Sequence, residues 1–259
     1  MSAELKSTSE NGTMVLTLSN PAQRNALGPE IYAAGIETLE GAENNPDIRS
    51  VVIVGEGAWF SAGGSLPRLQ ANRERSPAAQ AESIDALHSW IDSIRTFPKP
   101  VIAAVEGAAA GAGFALALAC DFIVSARDAV FAASYSSVAL SPDGGLSWHF
   151  AQALPRQLAS EWLMLGSRID AARLQALGLV NVLSDPGGAL SAALTLAQQL
   201  NARAPNAVAS AKELLTDARC ATLAQQLPRE RDHFVRNLHH ANAGIGIAAF
   251  LDKTTPRYE

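Results

Sequence analysis

A chain of 259 residues, 48% hydrophobic and 17% charged, has the composition of a globular protein and the length for one sizeable core or at most two domains. Lys plus Arg number 20 against 25 Asp plus Glu, a formal charge of −5, which excludes the overall basic footprint of a nucleic-acid binder. Two cysteines, Cys120 and Cys220, stand in unrelated contexts without CxxC spacing, so neither a disulfide scaffold nor a zinc site is expected and a reducing, cytoplasmic setting is.

Residues 1–6 are polar and contain no apolar run of the kind a secretory signal needs, so none is expected. Residues 14–18 alternate as a strand, and a polar loop with Pro21 follows. Gly28, Pro29 and Glu30 are helix-start signals, and Ile31, Ala34, Ile36 and Leu39 carry a helical apolar pattern to about Gly41. Residues 51–54 form a short buried strand, and residues 60–66 a loop that only small side chains can close. The polar stretch after it, with Pro67 and Pro77, is expected to be mobile. Over residues 78–95 the spacing of Ile84, Leu87, Trp90, Ile91 and Ile94 predicts an amphipathic helix that covers a sheet. Residues 101–105 read as a strand, Glu106 and Gly107 as a turn, and Gly111 opens an apolar helix that runs to Cys120. The apolar stretch 101–120 is interrupted by Glu106 and several glycines, which argues against a membrane span.

Residues 121–125 and 129–132 add further strands. Beyond the Pro142, Asp143, Gly144, Gly145 segment the chain reads as mainly helical, with apolar faces over 154–165, 189–200, 207–215 and 223–238. Strands and helices alternate first and helices dominate later, which predicts an α/β core with a helical appendage. No repeat of 20 to 50 residues and no low-complexity segment stands out, although alanine is abundant.

Several motif searches fail informatively. None of the five histidines lies in HExxH, and the 63–67 segment has Pro67 where a nucleophile elbow needs glycine. The 111–116 segment lacks the third glycine of a dinucleotide fingerprint, and no phosphate loop occurs. What remains is a pair of glycine-rich turns about fifty residues apart, Ala62-Gly63-Gly64 and Gly111-Ala112-Gly113. Each can present a free backbone N–H, and the second stands at the positive end of a helix dipole. Two such donors aimed at one oxygen would form an oxyanion hole. On spacing alone, ordinary tight turns are the favoured account, since glycine turns are common around strands.

Taken together, residues 20–27 (NPAQRNAL), 60–66 (FSAGGSL), 99–107 (KPVIAAVEG), Gly111-Ala112-Gly113 and 176–180 (ALGLV) resemble the enoyl-CoA hydratase/isomerase (crotonase) family in order and spacing. The resemblance runs nearly end to end. It implies an α/β crotonase spiral of ββα units over residues 1–195 and a helical trimerisation region over 196–259, in trimers that often pair into hexamers. It implies acyl-CoA thioesters as substrates, with the carbonyl between the N–H groups of Gly64 and Ala112. It further implies CoA and acyl contacts at Arg24, Ala26, Ala62, Ser65, Leu66 and Tyr135, with Phe250 and Lys253 reaching the CoA of a neighbouring subunit. No metal or redox cofactor is implied, because CoA arrives as part of the substrate.

The two glutamates of the family's hydratases would fall at Ala115 and Tyr135, and both are absent. Asp143 instead resembles the aspartate base of dienoyl-CoA isomerases and of the ring-opened-epoxide isomerase of phenylacetate catabolism, although Pro-Asp-Gly is equally a turn signal. The Tyr135-to-Asp143 spacing also resembles 4-chlorobenzoyl-CoA dehalogenase, where the aspartate is a nucleophile. That enzyme's histidine would fall at Asp92; His88, one helical turn earlier, could face the same pocket, but a solvated surface pair with Asp92 is the expectation. With Arg156-Gln157-Leu158-Ala159 the chain resembles members labelled enoyl-CoA hydratase or alternative-type oxepin-CoA hydrolase. The expectation is an enzyme that hydrates or isomerises the C=C bond of an enoyl-CoA in fatty-acid or phenylacetate degradation. An inert acyl-CoA binder is the alternative, and the negative charge disfavours an RNA-binding offshoot.

Overall fold

The structure is a computed structural model, and it describes residues 3–258. In chain order the first elements are β1 (Glu4–Glu10), β2 (Thr13–Ser19), α1 (Pro29–Glu43), β3 (Ser50–Gly55), α2 (Leu66–Asn72), α3 (Pro77–Thr96), β4 (Val101–Val105), β5 (Ala108–Ala110) and α4 (Ala112–Ala119). Then come β6 (Phe122–Ala126), β7 (Val130–Ala132), α5 (Leu146–Ala153), α6 (Arg156–Leu165), β8 (Arg168–Asp170), α7 (Ala171–Ala176) and β9 (Val182–Ser184). The chain closes with α8 (Ala189–Asn201), α9 (Pro205–Ala218), α10 (Leu223–Leu238) and α11 (Ala241–Leu251).

The larger sheet has the order β1-β2-β3-β4-β6-β9, parallel except for the β1/β2 hairpin. Its central strands are buried on both faces, which is why they read as unbroken apolar runs. Side chains alternate: Val51, Ile53, Val101, Ala103 and Val105 join the core formed with α1, α3 and α4, while Val52, Val54, Ile102, Ala104 and Val124 meet α8. On α8 the contact is made by Ala189, Ala193 and Ala197, spaced four apart, so the helix lies close against the strands. The boundary expected between 195 and 196 falls inside this helix.

A second sheet, β5-β7-β8, is short, and its edge is extended by a bridge between Ser61 and Ala109. Three-residue strands leave too little pattern for sequence reading. β1 was missed for a different reason: six of its seven residues are polar and most are exposed, as suits an edge strand. Its one readable signal is the Asn11-Gly12 pair, with φ of 50° and 78°, the pairing preferred in two-residue hairpin turns.

The segment expected to be mobile is instead α2 followed directly by α3. Ser65 caps α2 by accepting a hydrogen bond from the Arg68 N–H at 3.4 Å, and Ser76 caps α3 in the same way through Ala79. Pro67 and Pro77 each occupy the first helical turn, where the missing N–H is harmless, so they start these helices and do not break them. The helical region is tied to the core at Lys212 on α9. Its ammonium donates to the carbonyls of Ile94 and Lys99 and to the Asp121 carboxylate, the last at 2.7 Å. Among the described residues no helix is long and apolar enough to cross a membrane.

Candidate active site

The two glycine-rich turns come together. Residues 60–64 run alongside β5: Ser61 N–H donates to the Ala108 carbonyl and Ala110 N–H to the Ser61 carbonyl. On the other side the Leu27 N–H donates to the Gly63 carbonyl at 2.8 Å. Gly63 has φ +84°, and a Cβ placed there would lie 2.5 Å from the Ala110 oxygen and 3.0 Å from the Ala112 nitrogen. Only glycine allows this approach, so Gly63 sets the first turn against the N-terminus of α4. The backbone N–H groups of Gly64 and Ala112 take part in none of the hydrogen bonds between the turns of the described residues. Gly111, at φ 52°, opens α4, and its neighbours Phe114 and Ala115 donate back to the Gly111 carbonyl.

Tyr135 links this place to Asp143. The ring lies over Gly111, with its Cζ 3.7 Å from where a Cβ would stand. Its hydroxyl donates to Asp143 Oδ1 at 2.6 Å. The 143–146 segment is a turn as well as a carboxylate bearer, since the Leu146 N–H donates to the Asp143 carbonyl at 3.1 Å. Ala115 packs directly under this turn: a Cβ at Gly144 would come within 2.8 Å of the Ala115 methyl. A longer side chain at Ala115 would have to displace the segment that carries Asp143, so the small residue there and the position of the aspartate go together.

His88 corrects the surface-pair expectation. Its Nε2 accepts a hydrogen bond from the Gly144 N–H at 3.3 Å, so the imidazole braces the Asp143 turn, and no ion pair joins it to Asp92 among the described residues. Burial raises the Asp143 pKa above the ordinary carboxylate range, against the opposing pull of the Tyr135 hydroxyl and the His88 imidazole. Burial first, and the Asp143 charge second, push the Tyr135 phenol well above its ordinary value, so it stays protonated and acts as a donor.

Of the other expected residues, Arg24, Ala26, Ala62, Ser65 and Leu66 gather on the strip joined to Gly63. Ala62 N–H donates to the Arg24 carbonyl, and Ser65 Oγ donates to the Gln23 side chain. Arg24, at φ 51°, places its guanidinium 5.2 Å from the centre of the Trp59 ring. Ala26 is buried, and Leu66 is exposed. Phe250, 84% exposed, lies in the last turn of α11 and Lys253 two residues beyond its end, and no hydrogen bond or ion pair of the described residues joins them to this strip. Burial pushes the pKa of the Cys120 thiol far up. Sequence reading missed Tyr32, Arg68 and Ser83. Arg68 Nη1 donates to Ser83 Oγ at 3.0 Å, and burial raises the Tyr32 pKa while the Arg68 guanidinium opposes it. Tyr32 and Ser83 fall in helices that the apolar spacing predicts, but nothing local marks them as partners of Arg68, whose own helix is obscured by Pro67 and Pro77.

Two backbone turns lie beside one half-buried carboxylate, and comparison with known proteins gives the class. Residues 8–259 match the family model described as enoyl-CoA hydratase/isomerase. A solved enoyl-CoA hydratase from Polaromonas sp. JS666 is 70% identical and superposes with a TM-score of 0.98, covering 99% of this chain and 100% of that one. A putative enoyl-CoA hydratase of Thermus thermophilus is 33% identical over 94% of this chain and 96% of its own length. The 1,2-epoxyphenylacetyl-CoA isomerase of Escherichia coli is 30% identical over 96% and 95%. The chain belongs to the enoyl-CoA hydratase/isomerase family and has the crotonase fold. It is an enzyme of that hydratase/isomerase class.

Proposed function

We propose that the enzyme isomerises an enoyl-CoA by moving one proton between carbons of the acyl chain. The observation that carries this reading is the carboxylate of Asp143, half-buried and hydrogen-bonded to Tyr135 at 2.6 Å beside the Gly111 turn; the resemblance puts Ala115 and Tyr135 at the positions of the hydratases' two glutamates. The thioester oxygen would accept hydrogen bonds from Gly64 N–H and Ala112 N–H, which stabilises the enolate that forms when a carbon-bound proton leaves. Asp143 takes that proton and returns it to another carbon, so the double bond moves and no atom is gained or lost. Its raised pKa brings the carboxylate nearer to the carbon acid it must deprotonate.

Arg24, Ala26, Ala62, Ser65 and Leu66 would line the CoA path, the Arg24 guanidinium being suited to a phosphate. Phe250 and Lys253 would meet the CoA of a neighbouring subunit in a trimer, or a pair of trimers. No cofactor beyond the CoA of the substrate enters this reading, and a cytoplasmic setting is supported by two unpaired thiols, Cys120 and Cys220. A dehalogenase-like nucleophile is disfavoured, because Asp92 is exposed where that reaction's histidine would stand.

The test is to incubate the enzyme with 2-enoyl, 3-enoyl and cyclic phenylacetate-derived CoA esters in deuterated water enriched in heavy oxygen and to read products by mass spectrometry. A moved double bond or deuterium uptake without heavy oxygen is expected. Heavy oxygen in the product would make the enzyme a one-carboxylate hydratase, and no label with intact CoA-ester binding would make it an inert binder.

A further inference from the structure

Arg68 has no carboxylate partner. No ion pair of the described residues includes it, its Nε is buried without a hydrogen-bond partner, and Ser83 Oγ is a neutral acceptor for Nη1 at 3.0 Å. A buried donor left unmatched on a guanidinium is costly unless something else completes it. Its position says what that could be. Arg68 follows the Gly64 turn on α2, whose Leu69 packs over Gly64. Burial raises the pKa of Tyr32, which is 2% exposed, while the Arg68 guanidinium opposes that rise and the Asp143 charge adds to it. Ser83, which holds Arg68, stands one helical turn before Leu87 on α3, and Leu87 and Ala115 are the apolar neighbours of Gly144, next to Asp143, so α3 sets the guanidinium on the Asp143 side of the site. A thioester held at Gly64 and Ala112, with its reacting carbons at Asp143, would extend its acyl chain towards Arg68.

We propose that Arg68, held by Ser83, receives a carboxylate at the far end of the acyl chain, so that the preferred substrates are acyl-CoA esters of dicarboxylic acids. This rests on the reading of Gly64, Ala112 and Asp143 given above. A guanidinium fork matches a carboxylate in a bidentate pair, and Nε is one of the two donors such a pair uses.

The test compares kcat/KM for two enoyl-CoA esters of equal chain length, one ending in a methyl group and one in a carboxylate, in wild type, Arg68→Met and Arg68→Lys. Wild type is expected to favour the carboxylate by about tenfold to a hundredfold, the worth of a charged hydrogen-bonded pair. Arg68→Met should erase or reverse that ratio, and Arg68→Lys should restore part of it. Equal use of both esters by wild type overturns the proposal, as does an Arg68→Met variant that slows both in proportion, which would place Arg68 on the CoA or in the fold. Equilibrium binding of the two saturated esters to wild type reads the same preference without turnover. It separates failure here from failure of the proposed reaction, and it holds if the variants do not fold.

Discussion

Asp143 is pulled two ways at the residue scale. Burial disfavours its charge, and the Tyr135 hydroxyl, donating at 2.6 Å, favours it. In Tyr135→Phe the largest influence opposing burial is gone, so the carboxylate pKa rises further. A base works only when ionised, so activity is lost earlier as pH falls: the acid limb of the kcat/KM profile should move to higher pH in Tyr135→Phe. An unmoved or lowered acid limb would contradict the role given to this pair. Asp143 stood out in the sequence only because its surroundings resembled known isomerases; a Pro-Asp-Gly segment by itself reads as a turn, and it is one. The Tyr135 bond could not be read, because the seven residues between donor and acceptor are a short 3-10 turn and loop without a pattern. His88 was misjudged since it sits on the exposed side of α3, and only the return of the 143–146 segment gives it a partner.

Element geometry brings these residues together. Alternating strands and the apolar α4 were legible, because buried parallel strands and a helix without a polar face leave plain patterns. The α2 helix was not, since Pro67 and Pro77 read as breakers until their places in the first turns are known. The Lys212–Asp121 pair that fastens α9 joins residues 91 positions apart and left no local signal. In that pair burial raises the Asp121 pKa and lowers that of Lys212, so neither charge is at home there and each depends on the other. Side-chain exposure is 9% for Lys212 and 23% for Asp121. Removing one member of a buried pair costs about 3–5 kcal/mol. Lys212→Met should therefore lower the unfolding free energy by about that amount in urea denaturation; a loss below about 1 kcal/mol would show that the pair is solvated and that α9 is held by other contacts.

The whole molecule carries a surface that one chain does not cover. Met164 and Leu165 on α6, Phe234 on α10, and Phe250 and Leu251 on α11 are each at least 69% exposed. The proposed trimer would bury such side chains between copies. Light scattering should give the mass of three chains or a multiple, and Phe250→Glu should shift the population towards smaller species. A single-chain mass for the wild type at micromolar concentration would contradict this. Sequence composition bounded the molecule well, while the exposed apolar residues of the terminal helices looked like ordinary amphipathic faces until the fold left them without a neighbour.

The central claim is that one carboxylate moves protons on a thioester held by two backbone donors. Its most direct test is the rate at which solvent deuterium enters an enoyl-CoA, followed by NMR for wild type and Asp143→Asn, with CoA-ester affinity measured beside it. Asparagine keeps the shape and an oxygen for the Tyr135 hydroxyl but cannot take a proton from carbon. The account predicts exchange slowed by about a hundredfold or more with affinity little changed; exchange at the wild-type rate in Asp143→Asn would contradict it.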